Sequence, residues 1–255
     1  MNGEVVVFLE GDTEKNVIEK LRKKGSITYD DHRKCGSSRN FRTKLINYLE
    51  PIVRKSPSLK ESYTLVVLRD LDSGKSVEDI KKSTEEAIKK AFEKTGIPVE
   101  FIQHQRYSNI FLFNCTDPEI KVVLHVAQPR FIDGLPEFKN CTTDDYVLDL
   151  ALRPKTIANL PEFISAKKQK KDLTPEKIQK KVKLEIFQIL KGNGIELDEA
   201  KKFVNIYIAS LQLGEGMTYT HLPGKVIEHA EKEDIKDVYE SWIAAFRFTE
   251  EFNEP

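Results

Sequence analysis

Val5-Val-Val-Phe-Leu-Glu10-Gly11-Asp12-Thr13-Glu14 and, further along, Leu65-Val-Val-Leu-Arg-Asp70-Leu-Asp72 carry one design twice. Each is an apolar, largely β-branched run that stops at a carboxylate. Such runs suit strands buried on both faces of a parallel sheet. After the first, Gly11 permits a tight turn, and Asp12 or Thr13 can cap the helix that follows. Ligands of parallel α/β sheets sit outside the carboxyl ends of the strands. The two runs are therefore expected to lie side by side and to gather Glu10, Glu14, Asp70 and Asp72 into one acidic pocket.

Like charges about 4 Å apart repel by roughly 4 kcal/mol at an effective dielectric of about 20. A pocket of this kind must hold a proton with a raised pKa or bind a cation. All-oxygen ligands at this density suit Mg²⁺ or Mn²⁺, with waters and substrate phosphate completing the octahedron. Each acid also has a structural reading. Glu14 falls in a first helical turn, where the macrodipole stabilises a carboxylate by about 0.3–1 kcal/mol. Asp72 suits the start of a turn with Ser73-Gly74. Glu10, closing a buried strand, has no evident structural task, and the residue reading leans on it most.

Outward from these runs, strands and helices alternate. Val17, Ile18 and Leu21 recur at helical spacing until Lys23-Lys24-Gly25. Ile27 to Tyr29 reads as a short strand in the otherwise polar stretch 26–40. Phe41, Leu45, Ile46, Leu49 and Val53 mark a helix over 41–55. Val77, Ile80, Thr84, Ile88, Ala91 and Phe92 stripe a long amphipathic helix stopped by Gly96 and Pro98. Val99–Ile102, Ile110–Phe113 and Ile120–Val126 are further strands, the last two close enough for a hairpin or adjacent edge strands. This alternation predicts an α/β layer with a mainly parallel sheet flanked by helices.

From about residue 145 the character changes. Asp145 to Leu152 is expected to be helical, and Pro154, Pro161 and Lys167-Lys-Gln-Lys-Lys171 read as a junction. Thr174-Pro175-Glu176 is a helix start, with Thr as cap, Pro at the first helical position and an acid near the positive end. Ile178, Val182, Ile186, Ile189 and Leu190 stripe that helix. Two more are expected over 197–212 and 228–248, the last with Ile235, Val238, Tyr239, Trp242 and Phe246 as its stripe. The expected organisation is an α/β domain over 1–150 and an α-helical region over 151–255.

At 255 residues the chain is long enough to bury a sizeable core, and Lys+Arg and Asp+Glu balance at 41 each. A neutral field argues against strong long-range attraction to nucleic acid, while a local basic strip remains open. Its candidates are Lys167, Lys168, Lys170 and Lys171, followed by Lys177, Lys180, Lys181 and Lys183. A solvated face explains them at least as well. As a phosphate contact the strip would lose roughly 0.9 log units of affinity per log unit of salt for each phosphate neutralised. Cys35, Cys115 and Cys141 are odd in number and lack C-x-x-C spacing, which favours a reducing compartment. The opening apolar run is too short for a signal peptide, and no run approaches about 18 apolar residues. A cytoplasmic protein without a membrane segment is expected.

The order strand–Glu10-Gly11–helix, then a strand closing in Asp70-x-Asp72, resembles the TOPRIM fold shared by topoisomerases, bacterial-type primases and OLD-type nucleases. The E-G-x-T-E spacing that adds Glu14 is most similar to the nuclease branch, including small stand-alone TOPRIM proteins. The resemblance covers roughly residues 4 to 130. It implies a metal-dependent nuclease hydrolysing phosphodiester bonds of DNA or RNA, with Glu10 as general acid/base or metal ligand. Glu14, Asp70 and Asp72 would hold one or two Mg²⁺ or Mn²⁺ ions, and a two-metal site would stabilise both attacking and leaving oxygens. Nucleases of this type usually need a further acid or lysine downstream, for which Asp133, Glu137, Asp144 and Asp145 are available. A recognisable tyrosine-bearing strand-passage domain and a cysteine-rich zinc module are both lacking, which disfavours topoisomerase and primase. The alternative is a non-catalytic TOPRIM-like subunit that binds nucleic acid or a partner.

Two further patterns carry less. Ser73-Gly74-Lys75-Ser76 lies between a strand and a helix like a phosphate loop, but a Walker A motif needs glycine where Arg69 stands. Lys75 could still meet a substrate phosphate at the helix N-terminus. Any ATPase would then be a separate partner protein, as resemblance to stand-alone TOPRIM nucleases suggests. His104, Cys115, His125 and Cys141 include zinc-ligand types at irregular spacing, and read as ordinary core or surface residues.

Overall fold

β-Branched and aromatic side chains fill the two runs that opened the sequence, and both become central strands. The computed structural model describes residues 3–36, 40–55, 62–72, 74–93, 95–116, 119–159, 174–211 and 219–248. The strands are β1 (Glu4–Leu9), β2 (Asp31–Lys34), β3 (Tyr63–Arg69), β4 (Glu100–Gln103), β5 (Ile110–Thr116) and β6 (Glu119–Val126), in one six-stranded sheet ordered β2-β1-β3-β6-β5-β4. The pairs β2–β1, β1–β3 and β3–β6 are parallel, whereas β6–β5 and β5–β4 are antiparallel. A mainly parallel α/β sheet flanked by helices is thus what the chain forms.

Helices α1 (Asp12–Lys23), α2 (Phe41–Lys55) and α3 (Val77–Phe92) follow β1, β2 and β3. Phe41, Leu45, Leu49 and Val53 of α2 and Ile80, Ala87, Ile88, Ala91 and Phe92 of α3 share one core with Val6, Phe8, Leu65, Val67, Phe111, Phe113 and Val122. Burying one such aliphatic or aromatic side chain is worth about 1.5–3 kcal/mol. That is why the expected helices at 41–55 and 77–92 form where the apolar spacing placed them. α3 also has a full capping box, with Ser76 and Asp79 exchanging side-chain and backbone hydrogen bonds.

The short strand falls at 31–34 instead of 27–29. Ile27 and Tyr29 are buried, but the polar residues Asp31–Lys34 pair with Val6–Leu9. Backbone pairing at an edge needs no apolar side chains, so apolar content pointed to the neighbouring residues.

By its contacts the chain divides into two units. One unit comprises 1–15, 25–127 and 241–255; the other comprises 16–24 and 128–240. In the second unit lie α4 (Thr143–Ala151), a helical segment over 154–159, and a long helix that we label α5 from Pro175 to Gly192. Helices α6 (Ala200–Ser210), α7 (Leu222–His229) and α8 (Lys232–Val238) also lie there. Thr174 caps α5 and Pro175 opens it, as read from the sequence. A π-helical turn over Lys181–Glu185 interrupts it. The extra residue in that turn rotates the face beyond it, so Ile178 and Val182 are buried but Ile189 is 63% exposed.

The single helix expected over 228–248 is three. Ala230 and Glu231 are extended and Tyr239 is non-helical, which separates α7, α8 and α9 (Glu240–Arg247). The apolar stripe nevertheless marked buried residues, because Ile235, Val238, Tyr239, Trp242 and Phe246 are all inside. They serve two cores: the first three belong to the second unit, and the residues from 241 on return to the first. There Ala245 and Phe248 pack with Ile110, Leu112 and Val123 of the sheet. Among the described residues no helix is long and apolar enough to cross a membrane.

Candidate active site at the ends of two parallel strands

β1 has β2 on one side and β3 on the other, so the chain order reverses between β1 and β3. In open α/β sheets that reversal opens the crevice in which ligands bind, at the carboxyl ends of the strands. Glu10 follows β1 there, and Asp70 follows β3.

The register pairs Val6 with Leu65 and Phe8 with Val67. All four face the core shared with α2 and α3, and side chains two apart on a strand share a face. Extending the column by one step brings Glu10 beside Arg69. Arg69 Nε donates to Glu10 Oε1 at 2.7 Å, and the two side chains are only 4% and 15% exposed. The guanidinium also lies 3.8 Å from the centroid of the Phe41 ring, a cation–π contact strengthened by desolvation. Burial pushes the Glu10 carboxyl above its ordinary pKa, Arg69 opposes this, and the charges of Asp72 and Glu14 push further upward. Glu10 therefore does have a structural task, contrary to the sequence reading.

Backbone contacts fix this end of β1. Cys35 N–H donates to the Leu9 carbonyl at 2.8 Å, and Gly36 N–H to that of Glu10 at 2.9 Å. Lys44 Nζ donates to the Cys35 carbonyl. Because α1 begins at Asp12, Gly11 holds the N-cap position, and its N–H donates to Glu14 Oε2 at 2.8 Å. Glu14 is buried and supplies the return half of a capping box. Asp12 and Thr13, the expected caps, are instead the first helical residues, and Asp12 pairs with Lys34 at 2.7 Å.

Beyond β3, Asp70 and Asp72 are half-buried. Gly74 makes the turn at φ 78°, a conformation that favours glycine. Lys75 N–H donates to the Asp72 carbonyl at 3.1 Å, and Lys75 Nζ stands 2.9 Å from Asp72 Oδ2. Both side chains of this pair are more than two-fifths exposed, at 44% and 41%. Ser76 then caps α3, which places Lys75 beside that helix's N-terminus.

In this arrangement no three His, Cys, Asp or Glu side chains among the described residues form a metal-holding group. Glu10, Glu14 and Asp72 each engage a cation or an N–H of the chain instead. The donor set still suits a hard divalent cation in type, being carboxylate oxygens at neighbouring strand ends. Glu10 also feels the charge of both Asp72 and Glu14. An ion would fit this negative charge by exchanging with the chain's own partners.

Asp133, Glu137, Asp144 and Asp145 belong to the second unit. Asp145 accepts from Thr142 N–H at 2.9 Å in the capping box of α4. Lys167, Lys168, Lys170 and Lys171 fall outside the described residues. His125 is fully buried in the first unit, and burial lowers its pKa to about 3, which keeps the ring neutral. Its Nε2 lies 3.3 Å from Asn109 Nδ2 and 3.0 Å from Ser241 Oγ, a satisfied core histidine.

Arg69 is the residue that sequence reasoning missed. The available signal was a permanently charged side chain ending a strand whose other residues are apolar or Thr. Buried, it must find a carboxylate. Set against models of known protein families, curated proteins and solved structures, the chain matches none.

Proposed function

We propose that the chain is a TOPRIM-like, metal-dependent nuclease of the cytoplasm, cleaving phosphodiester bonds of DNA or RNA at the Glu10/Asp70-x-Asp72 crevice. The observation that carries this reading is that Glu10 and Asp70 directly follow two adjacent parallel strands, at their carboxyl ends, where strand order reverses. Glu10, Asp70 and Asp72 would hold Mg²⁺ or Mn²⁺, with Glu14 beside them. A bound ion of this kind supplies Lewis-acid polarisation of a phosphoryl oxygen.

The chain's own groups have separate tasks in this reading. Glu10, with its pKa raised by burial, is suited to accept or return a proton nearer neutral pH than an exposed carboxylate. Arg69 orients Glu10. Lys75, beside the N-terminus of α3, offers a positive charge to a substrate phosphate. Any ATPase would be a separate chain.

Metal-dependent cleavage of supercoiled plasmid, single-stranded DNA and RNA tests the reading. Cleavage in Mg²⁺ or Mn²⁺ is expected to fall by at least about a hundredfold in Glu10→Gln and in Asp72→Asn. Undiminished cleavage by both variants would sink the assignment. One observation favours a second reading, a non-catalytic subunit that binds nucleic acid or a partner: the acids already engage Arg69, Lys75 and the Gly11 N–H. That version predicts no cleavage by the purified chain, together with measurable binding of nucleic acid or of a partner.

A further inference from the structure

Gathered carboxylates need compensation, and two cations of the chain itself supply it. They are held very differently. Lys75 and Asp72 form a solvent-exposed pair, the sort worth about 0–1 kcal/mol and readily exchanged. Arg69 is 4% exposed, lies over the Phe41 ring, and donates to Glu10 at 2.7 Å. A guanidinium cannot shed its proton at any physiological pH, so this positive charge is permanent. It occupies one oxygen of the carboxylate that the proposed metal site needs.

We propose that Arg69 is a built-in competitor of the divalent cation. It neutralises Glu10 in the cation-free chain and sets how tightly the crevice takes up Mg²⁺ or Mn²⁺. The idea rests on the metal reading above and concerns only this chain's side of the exchange. Either Arg69 swings away from Glu10 when an ion arrives, or it stays and repels the ion across the shared carboxylate. Both routes weaken cation binding relative to a chain without the charge. A purely orienting role makes the opposite prediction, since removing an outer hydrogen bond to a metal ligand typically weakens affinity by about 10–100-fold.

The sign of the change in Mn²⁺ affinity therefore decides. Calorimetry, or the electron paramagnetic resonance signal of unbound Mn²⁺, is read on the whole chain without nucleic acid. Arg69→Met keeps an unbranched stem against Phe41 and removes the charge. It is expected to bind Mn²⁺ about tenfold more tightly than the parent chain, which corresponds to about 1.4 kcal/mol. Phe41→Leu leaves every carboxylate and Arg69 in place but removes the ring beneath the guanidinium. It is expected to shift affinity in the same direction by a smaller factor, about threefold. Lys75→Met, at the exposed pair, should stay within about twofold.

Weaker or unchanged binding by folded Arg69→Met overturns the competitor and leaves the metal reading standing. If Arg69→Met does not fold, unchanged or weaker binding by Phe41→Leu overturns it in the same way. If neither the parent chain nor any variant binds Mn²⁺, the metal reading itself fails and the competitor falls with it.

Discussion

Two close pairs of aspartates, Asp70/Asp72 in the first unit and Asp144/Asp145 in the second, resolve the same electrostatic problem by different means. At the strand ends the compensation is cationic: Arg69 on Glu10 and Lys75 on Asp72. At the start of α4 the chain provides far less. Asp145 is 1% exposed, and burial raises its pKa to about 7 against the pull of Thr142 hydrogen bonds. Burial also raises Asp144, opposed by the Tyr219 hydroxyl and by Lys201. One oxygen of each of these two carboxyls is buried without a hydrogen-bond partner in the structure. An acid beside a cation has its charge answered by a partner, whereas burial in a helix cap favours the protonated acid. Pairs of acids alone do not announce a site; the company they keep does.

The largest expected effect breaks the cationic side of this contrast. Glu10→Ala leaves Arg69 buried and charged with no carboxylate, and should lower unfolding stability by about 3 kcal/mol in urea titrations. Arg69→Met should lower it by less, because a stranded Glu10 can take up a proton while a stranded arginine cannot release one. Equal losses from the two substitutions would show that a stranded Glu10 does not relieve its burial by taking up a proton.

The next effect sharpens the proton side and carries a sign. Asp145 has a folded pKa near 7 against an ordinary value of 3.8. Its burial is therefore least unfavourable below about pH 4, and stability is lost as pH rises through 7. Asp145→Asn keeps a side-chain oxygen for the Thr142 N–H and removes the titration. It should raise unfolding stability at pH 8 by on the order of a few kcal/mol, seen as a higher melting temperature, and change little at pH 4. His125 runs the other way, since its folded pKa of about 3 lies below the ordinary 6.5. Its contribution is complete above 6.5 and declines as pH falls below that value. Trp242, the chain's one tryptophan, lies 5.7 Å from the His125 ring. Its fluorescence should report the first unit loosening in acid, over a range where the Asp145 carboxyl favours the fold.

The smallest effect belongs to Lys75→Met. Its exposed pair with Asp72 should contribute less than about 1 kcal/mol, and that little should vanish at high salt. A larger loss, persisting in salt, would mean that Lys75 is held as firmly as Arg69.

Much of this architecture was legible where side-chain chemistry and backbone demand coincide. The runs Val5–Leu9 and Leu65–Leu68 read as buried strands because nothing in them could face water. The spacing of Val77 to Phe92 read as a helix because only that period buries Ile80, Thr84, Ile88 and Phe92 together. Legibility failed where the backbone alone decides, as in the polar edge strand Asp31–Lys34. It failed again where one apolar stripe feeds two cores, as after Glu231. The acids of the candidate site were visible because two strands end alike, but Arg69 was not. Its role exists only in the register of β1 against β3, which sets Glu10 next to it two residues beyond Phe8 and Val67.

The return of residues 241–248 to the first unit has a consequence for how the chain is made. Ile110, Leu112 and Val123 await Ala245 and Phe248, and His125 awaits Ser241. While a ribosome is still extending the chain through residues 128–240, all six described strands have been made but one face is unfinished. Completion comes only when residues 241–248 emerge, which at about 5–20 residues per second leaves those side chains without these partners for several seconds. Contacts so distant along the chain slow folding. During that interval Ile110, Leu112 and Val123 lack those partners, and transiently exposed apolar surface of this kind is prone to association.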